Sequence, residues 1–331
     1  MFAVMPLGGA IMSIAKLADA MPASSAPTPA RAAFGTALTR LAAPTMSIAI
    51  LAAAVFELRA MDWQAVLAMV PANPLFWLVF VTFYCTPIIA EWTIYHRIWG
   101  IPRAAIITMA RKTVSNDLLF GYVGETYLYS WARRAGKAPG IAFGAVKDVA
   151  LLSAAVGNSA TILVALFTAP LLGRLHIAMP HWAIALAVVA VAAPPLVAIL
   201  GRKSVFHLPG TLLREITAIH IVRSTSGIVL TAVMWHLALP EIAMSWWVAF
   251  SALKLVLSRL PFVSNKDLVF AGATALLFGR HGDVATLMAM MASLSVAAHI
   301  VTGLAASTSG LIETAAARLR PVCASRDTLV A

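Results

Sequence analysis

Charged residues are scarce in this chain. They make up 11% of its 331 residues, whereas hydrophobic residues make up 61%. Because an ordinary soluble domain carries about 25% charged residues, this composition excludes a soluble enzyme, a soluble nucleic-acid-binding domain and a disordered chain. The mean hydropathy of +0.89 indicates a protein embedded in a membrane.

Cysteine and recognisable catalytic motifs are also scarce. The two cysteines, Cys85 and Cys323, are too few for a disulfide scaffold or a zinc site, and the eight histidines lack the spacing of metal ligands. The chain contains no Walker A motif, no Gly-x-Ser-x-Gly motif and no dinucleotide-binding fingerprint. An ATP-driven pump within this chain is therefore excluded, and we expect neither a metal nor a cofactor.

Long charge-free stretches are present instead. A helix needs about 20 apolar residues to cross a bilayer, and four stretches are long enough: 64–90, 149–173, 175–201 and 284–312. Three shorter stretches, 41–56, 224–240 and 242–253, also cross if their flanking charges snorkel or face the protein interior. The sequence predicts an all-α polytopic membrane helical bundle with seven or eight spans.

The distribution of basic residues predicts the domain organisation and the orientation. Residues 1–40 are a flexible cytoplasmic leader, 41–312 the transmembrane domain and 313–331 a cytoplasmic tail; whether residues 1–20 are retained stays open. Three of the 24 Lys and Arg residues fall in the predicted outer loops, which places both termini in the cytoplasm. The net charge of +11 then reflects orientation and attraction to anionic lipid rather than nucleic acid.

Two apolar segments, 118–124 and 268–279, are too short to cross alone and are predicted to be half-helices or re-entrant pieces. Each lies beside a cluster of charges, at 111–134 and at 254–267. A charge within the bilayer costs at least about 2.5 kcal/mol, so it normally faces a partner, water or substrate. Paired interruptions in the two halves of a chain are the best sequence indication of a transporter's binding site.

The candidate substrate-binding residues come from these interruptions and from the start of the following span. They are Asn116, Asp117, Gly121, Gly124, Glu125, Arg133, Arg134, Lys147, Asp148, Arg259, Asn265, Lys266 and Asp267. The acidic side chains would contact cationic or hydroxylated groups and the basic ones phosphate, while the glycines allow sharp turns or close helix approach. In the alternative interpretation, Glu125, Asp148 and Asp267 form structural ion pairs with Arg133, Lys147 and Lys266, or the two clusters are ordinary interfacial loops.

Three other features have simpler interpretations. Glu91, His96 and Arg97 accompany aromatic residues at the end of a span, which favours an interfacial anchor. The pattern of residues 211–223 predicts a helix on the membrane surface or a gating connector. His299 is predicted to be a hydrogen-bonded interior residue.

The two clusters resemble the transmembrane region of the lysylphosphatidylglycerol synthase/flippase family. The resemblance rests on the Gly-Glu pair within 121–134, the Lys-Asp pair within 144–153, and the break with a following acidic residue at 258–267. It covers roughly residues 71–310, and Phe-Val-Ser-Asn-Lys-Asp stands where the family has a glycine-rich stretch. It implies a lipid-translocating membrane unit without the soluble aminoacyl-transferring domain.

These observations lead to one favoured function and two alternatives. The favoured function is that of a multi-pass protein of a bacterial inner membrane, which binds a phospholipid or lipid-linked glycan and moves it between leaflets. Its expected partners are membrane lipids with an anionic or lipid-linked head group. One alternative is an enzyme acting on a polyprenyl-linked lipid phosphate, with Glu125 or Asp148 as general base; it is disfavoured because no carboxylate pair or acidic metal-binding run is visible. The other is an accessory subunit of an envelope-assembly complex, and a homo-oligomer stays open.

Overall fold

The computed structural model describes residues 70–119, 123–172, 181–201, 205–258, 266–278 and 283–319. All of them belong to the larger of two units, Ala42–Ala331. The predicted leader, the stretch 41–56 and residues 320–331 lie outside the described residues. The described part forms nine α-helices: α1 (Pro74–Trp99), α2 (Ile106–Leu118), α3 (Val123–Arg134), α4 (Pro139–Leu172), α5 (His181–Leu200), α6 (Gly210–Ala238), α7 (Met244–Ser258), α8 (Lys266–Phe278) and α9 (Asp283–Leu319).

The all-α prediction is confirmed for these residues, and four helices are candidate membrane spans. Helices α1, α4, α6 and α9 are long and apolar enough to cross a bilayer. The shortest of them has 26 residues, and at 1.5 Å per residue it is about 39 Å long, which exceeds the roughly 30 Å of hydrocarbon. Two shorter apolar helices, Val191–Leu200 and Met244–Ser258, accompany them. The protein is thus a multi-span membrane helical protein by length and composition.

Two of these helices continue past a charged residue that was predicted to lie just outside a span. Helix α1 begins where the Asn73 side chain accepts a hydrogen bond from the Leu75 N–H at 2.9 Å. It continues past Glu91 and ends at Gly100, which adopts a left-handed conformation with φ 65°. Helix α6 is likewise continuous, so the prediction of a separate surface helix or connector at 211–223 is wrong. That segment is the first half of a 29-residue helix.

Each predicted interruption lies where one described helix ends and another begins, but only one of the two predicted half-helices agrees with a helix of the structure. Helix α2 ends at Leu118 and α3 begins at Val123, so the predicted half-helix 118–124 includes the end of one short helix and the start of the next, while residues 120–122 lie outside the described residues. Helix α8, in contrast, is a 13-residue apolar helix over nearly the predicted range. A helix of this length spans about 20 Å and is too short to cross a bilayer.

Two buried apolar clusters hold the helices together, and α1 and α6 contribute to both. The first cluster joins α1 and α6 to α7, α8 and α9, with Trp235 stacked on Phe270 at 5.9 Å between ring centroids. The second joins α1 and α6 to α2, α3 and α4, around Tyr95 and Met109. Along α1 and α6, the residues between the two clusters line a cavity. The packing therefore positions that cavity at the centre of both long helices.

Large apolar side chains also cover much of the outer surface. Phe167, Leu200 and Ile199 are 85%, 83% and 71% exposed. A water-soluble monomer rarely exposes large contiguous apolar patches. This surface suits contact with lipid hydrocarbon, in agreement with the four long apolar helices.

Candidate functional site

A network of ion pairs in the interior links four helices, and a hydrogen bond adds a fifth. The Lys112 ammonium on α2 lies 3.0 Å from a Glu91 carboxylate oxygen on α1 and 3.1 Å from a Glu125 oxygen on α3. The other Glu91 oxygen lies 3.3 Å from the Arg223 guanidinium on α6. Arg223 also donates a hydrogen bond of 2.8 Å to the Ser153 hydroxyl on α4. The network connects α1, α2, α3, α4 and α6 through side chains alone.

The four charges of this network balance one another. Two carboxylates face two cations, and the side chains of Glu91 and Lys112 are each only 6% exposed. Ions leave water at a high free-energy cost, which is offset only when each has a close partner of opposite sign. Because every member is needed to neutralise another, the network acts as one unit.

Gly124 and Asn116 bring α2 and α3 close enough for this network to form. A Cβ atom at Gly124 would lie 2.2 Å from the Lys112 backbone oxygen, which is closer than real atoms approach. The Gly124 N–H donates to the Asn116 side-chain oxygen at 2.7 Å, and the Asn116 amide donates to Glu125 at 3.3 Å. The Gly-Glu pair of the sequence therefore combines a close helix contact with a carboxylate for the buried cation.

A cavity of about 320 Å³ lies beside the network. Arg223 belongs to both, because it lines the cavity as well as pairing with Glu91. The remaining polar side chains that line it come from six helices, α1, α2, α6, α7, α8 and α9: Tyr84, Thr86, Thr113, Asp117, Ser224, Thr231, Ser251, Lys254, Ser258, Lys266, Asp267, Ser295 and His299. Asp117 comes from the first charged cluster, and Lys266 and Asp267 come from the second, so both interrupted regions contribute to one chamber.

Two acidic side chains of the cavity have partners on other helices. The Lys254 ammonium lies 2.9 Å from an Asp267 oxygen. On the other side, His299 Nε2 lies 3.5 Å from an Asp117 oxygen, and its Nδ1 shares a hydrogen bond of 3.0 Å with the Tyr84 hydroxyl. The prediction of a hydrogen-bonded interior residue at His299 is confirmed. The chamber thus offers both acidic and basic groups to a ligand.

The structure places the candidate residues from the sequence in the cavity, in the ion network and at the end of α3. Some line the cavity: Asp117, Lys266 and Asp267. Others belong to the buried network or its support: Asn116, Gly124 and Glu125. Arg133 and Arg134 end α3, where Arg133 donates to the Lys137 backbone oxygen. Gly121, Arg259 and Asn265 lie outside the described residues.

Lys147 and Asp148 hold the chain that leads into α6. The buried Asp148 carboxylate accepts hydrogen bonds from the backbone N–H groups of His207 and Leu208 at 2.6 and 2.8 Å. The Lys147 ammonium lies 3.4 Å from the second Asp148 oxygen and donates to the Val205 backbone oxygen. Neither residue is among those that line the cavity. Their contacts favour a positioning role in this segment.

We expect Asp148→Ala to destabilise the protein by about 2 kcal/mol, because two backbone N–H groups lose a charged acceptor, which water replaces in part at the exposed His207. Unfolding titrations in detergent micelles, followed by tryptophan fluorescence, measure this change. Lys147→Met should have a smaller effect because the two backbone hydrogen bonds remain. An Asp148→Ala protein as stable as the wild type would contradict the positioning role.

The ion pairs differ in part from those suggested by the sequence. The Lys147–Asp148 pair, which the alternative interpretation predicted, is present. Glu125, however, pairs with Lys112, and Asp267 pairs with Lys254, where sequence neighbours had suggested Arg133 and Lys266. The partners lie on other helices, which adjacency in the chain does not indicate.

Glu91 and Arg223 belong to the network, although neither was among the candidate residues from the sequence. Glu91, expected to be an interfacial anchor, is 5% exposed and lies in the ion network, so that interpretation is wrong for this residue. Arg97 does fit a boundary position, since it forms an exposed pair with Glu215 at 3.0 Å. The sequence feature that could have identified Arg223 is its position near the midpoint of a long apolar helix. Such a charge is functional or paired by default.

Comparison with protein-family models, with curated proteins and with solved structures finds no match to this chain.

Proposed function

We propose that this protein binds the head group of a phospholipid in the charged cavity and moves it between the two leaflets of a membrane. The observation that carries the proposal is a chamber of about 320 Å³ inside a bundle of apolar helices, lined by acidic and basic side chains from both interrupted regions. Polar groups of this kind are costly within hydrocarbon and are retained where a substrate passes.

The lining chemistry favours a small head group that carries both signs of charge. Arg223, Lys254 and Lys266 provide cations for a phosphate, and Asp117 and Asp267 provide carboxylates for an ammonium group. The cavity volume is at the lower end of the roughly 300–1,000 Å³ of ordinary ligand pockets. A phosphate with a short ammonium-bearing group fits this space better than a lipid-linked glycan.

The paired charges of the cavity also suit a zwitterionic ligand energetically. The Lys254–Asp267 pair can open so that the lysine binds phosphate and the aspartate binds ammonium. The net charge of the chamber is then the same with and without the ligand, so no isolated charge is buried at either stage. An anionic ligand without an ammonium group would leave Asp267 without a cation.

Translocation in vesicles tests this proposal. The protein is reconstituted with phosphatidylethanolamine that carries a fluorophore on one acyl chain, and dithionite reports how fast inner-leaflet lipid reaches the outer leaflet. Combining Lys254→Gln with Asp267→Asn removes both charges of one cavity pair. We expect the rate to fall at least about tenfold, because a charge-assisted hydrogen bond contributes about 1.5–3 kcal/mol.

A matched control neutralises an ion pair outside the cavity. Arg97→Gln combined with Glu215→Gln removes the exposed pair of α1 and α6, and we expect the rate to stay within about twofold of the wild type, as exposed pairs contribute little. Size-exclusion chromatography verifies that both variants are folded. A folded cavity variant that translocates lipid at the wild-type rate would overturn the proposal.

A further inference from the structure

A second space adjoins the cavity on the outer side of α1 and α6. It is a groove of about 370 Å³ with an almost wholly apolar lining. Its apolar residues are Ile89 and Ala90 on α1 and Ala218, Ile219 and Val222 on α6. Ile89 and Val222 are 49% and 67% exposed, so the groove opens onto the apolar surface of the bundle.

The groove and the cavity share two lining residues, Thr86 and Arg223. Thr86 lies on α1 and Arg223 on α6, so the two spaces meet between these helices. On one side of Arg223 the lining is charged, and on the other it is hydrocarbon. A charged space that continues into an apolar groove matches the structure of an amphipathic molecule, whose charged part continues into an apolar chain.

Small side chains make this groove on the surface of two otherwise closely packed helices. Ala90 and Ala218 leave space on α1 and α6, while the larger Ile89, Ile219 and Val222 form its walls. The charged neighbour at its inner end is held in place, because Arg223 pairs with Glu91 at 3.3 Å and donates to Ser153 at 2.8 Å. A phosphate at Arg223 would therefore lie at a fixed distance from the start of the groove.

We infer that the groove between α1 and α6 binds an acyl chain of the same phospholipid whose head group occupies the cavity. The inference rests on the proposed function, and it adds where the lipid enters and what part of it is recognised. The lipid reaches the cavity sideways from the membrane between α1 and α6. Its head group passes Thr86 and Arg223, while its acyl chain stays in contact with apolar side chains.

Photolabelling tests this inference directly. The protein is placed in vesicles of phosphatidylglycerol that contain a trace of phosphatidylethanolamine with a diazirine on one acyl chain, and labelled residues are mapped by mass spectrometry. We expect labels to concentrate on Ile89, Ala218 and Val222 and to disappear when unlabelled phosphatidylethanolamine is added in excess. General contact with surrounding lipid should instead label exposed residues such as Phe167 evenly.

A groove-filling variant provides the second measurement. Ala218 is exposed, so Ala218→Phe fills the groove without entering the core, and we expect groove labelling to fall about tenfold. Ala305→Phe, an equal change at an exposed position on α9 outside the groove, should leave it unchanged. Val222→Trp checks the result at a second position. Groove labelling no stronger than that of Phe167, or unaffected by both groove variants, would overturn the inference.

Binding of glycerophosphoethanolamine, which has the head group but no acyl chains, separates this inference from the proposed function. We expect it to bind the wild type and the Ala218→Phe protein equally, as measured by calorimetry in detergent. If this probe binds normally but the acyl-chain labels are spread evenly, the acyl-chain site in the groove is overturned and the head-group site stands. Saturable groove labelling without any binding of this probe would overturn the proposed head-group site and leave the acyl-chain site standing.

Discussion

Replacing Lys112 with methionine is expected to lower the free energy of unfolding by about 3–5 kcal/mol, the typical cost of removing one partner from a buried ion pair. Lys112 is the cation between Glu91 and Glu125, and its side chain is 6% exposed. Without it, the buried Glu91 carboxylate keeps only the Arg223 cation, and the half-buried Glu125 carboxylate loses its ion pair. Denaturant titration in detergent micelles, monitored by tryptophan fluorescence, measures the loss.

A second variant distinguishes lost charge balance from lost packing. Adding Glu125→Gln to Lys112→Met removes one carboxylate together with the cation, and we expect this double variant to regain a large part of the lost stability. Arg97→Gln, which breaks an exposed pair, should cost less than about 1 kcal/mol. If Lys112→Met were no more destabilising than Arg97→Gln, the network would not be the structural unit described above.

Gly124→Ala is expected to destabilise the protein by about 3 kcal/mol, the upper end of the usual cost of overpacking. The added Cβ would lie 2.2 Å from the Lys112 backbone oxygen, and backbone moves less readily than a side chain. Helices α2 and α3 must separate, which also weakens the hydrogen bond from the Gly124 N–H to Asn116. The same titration measures this effect.

Gly272 is the matched control for this prediction. It lies on α8, and a Cβ atom there would meet nothing within 4 Å. Because alanine is the better helix former, Gly272→Ala should be neutral or stabilise by up to about 1 kcal/mol. Equal stability of the Gly124→Ala and Gly272→Ala proteins would show that α2 and α3 do not need a glycine at their contact.

The network and the cavity depend on each other through one side chain. Arg223 is anchored by Glu91 and Ser153 and at the same time lines the cavity and the groove. Glu91 is in turn held by Lys112. A variant that loosens the network should therefore also displace a basic group of the proposed head-group site. This dependence is why the translocation test uses the Lys254–Asp267 pair, which lies outside the network.

The membrane class and the two interrupted regions that contribute to the cavity could be predicted from the sequence. A scarcity of charge together with long apolar stretches indicates membrane helices because the bilayer constrains every residue of a span in the same way. The two interrupted regions were identifiable for the same reason, since charge inside an apolar chain is costly wherever it occurs. Asp117 and Asp267, from these two regions, line one cavity.

The helix boundaries could be predicted less well, because a charge was treated as the end of a span. Helix α1 continues past Glu91 and α6 past Arg223. Each charge is tolerated inside its helix because the other neutralises it at 3.3 Å, although they lie 132 positions apart in the chain. Spacing along a sequence carries no information about such a partner.

Composition and apolar run length were thus sufficient for the all-α membrane class and for the location of unusual charges, because both follow from the solvent that surrounds each residue. Which charges meet, and whether they form a buried network or face a cavity, depended on how the helices pack. Lys112 and Asp117 lie five positions apart on one short helix, yet one is sealed between two glutamates and the other lines the cavity. Their difference arises from the neighbouring helices on each side of α2.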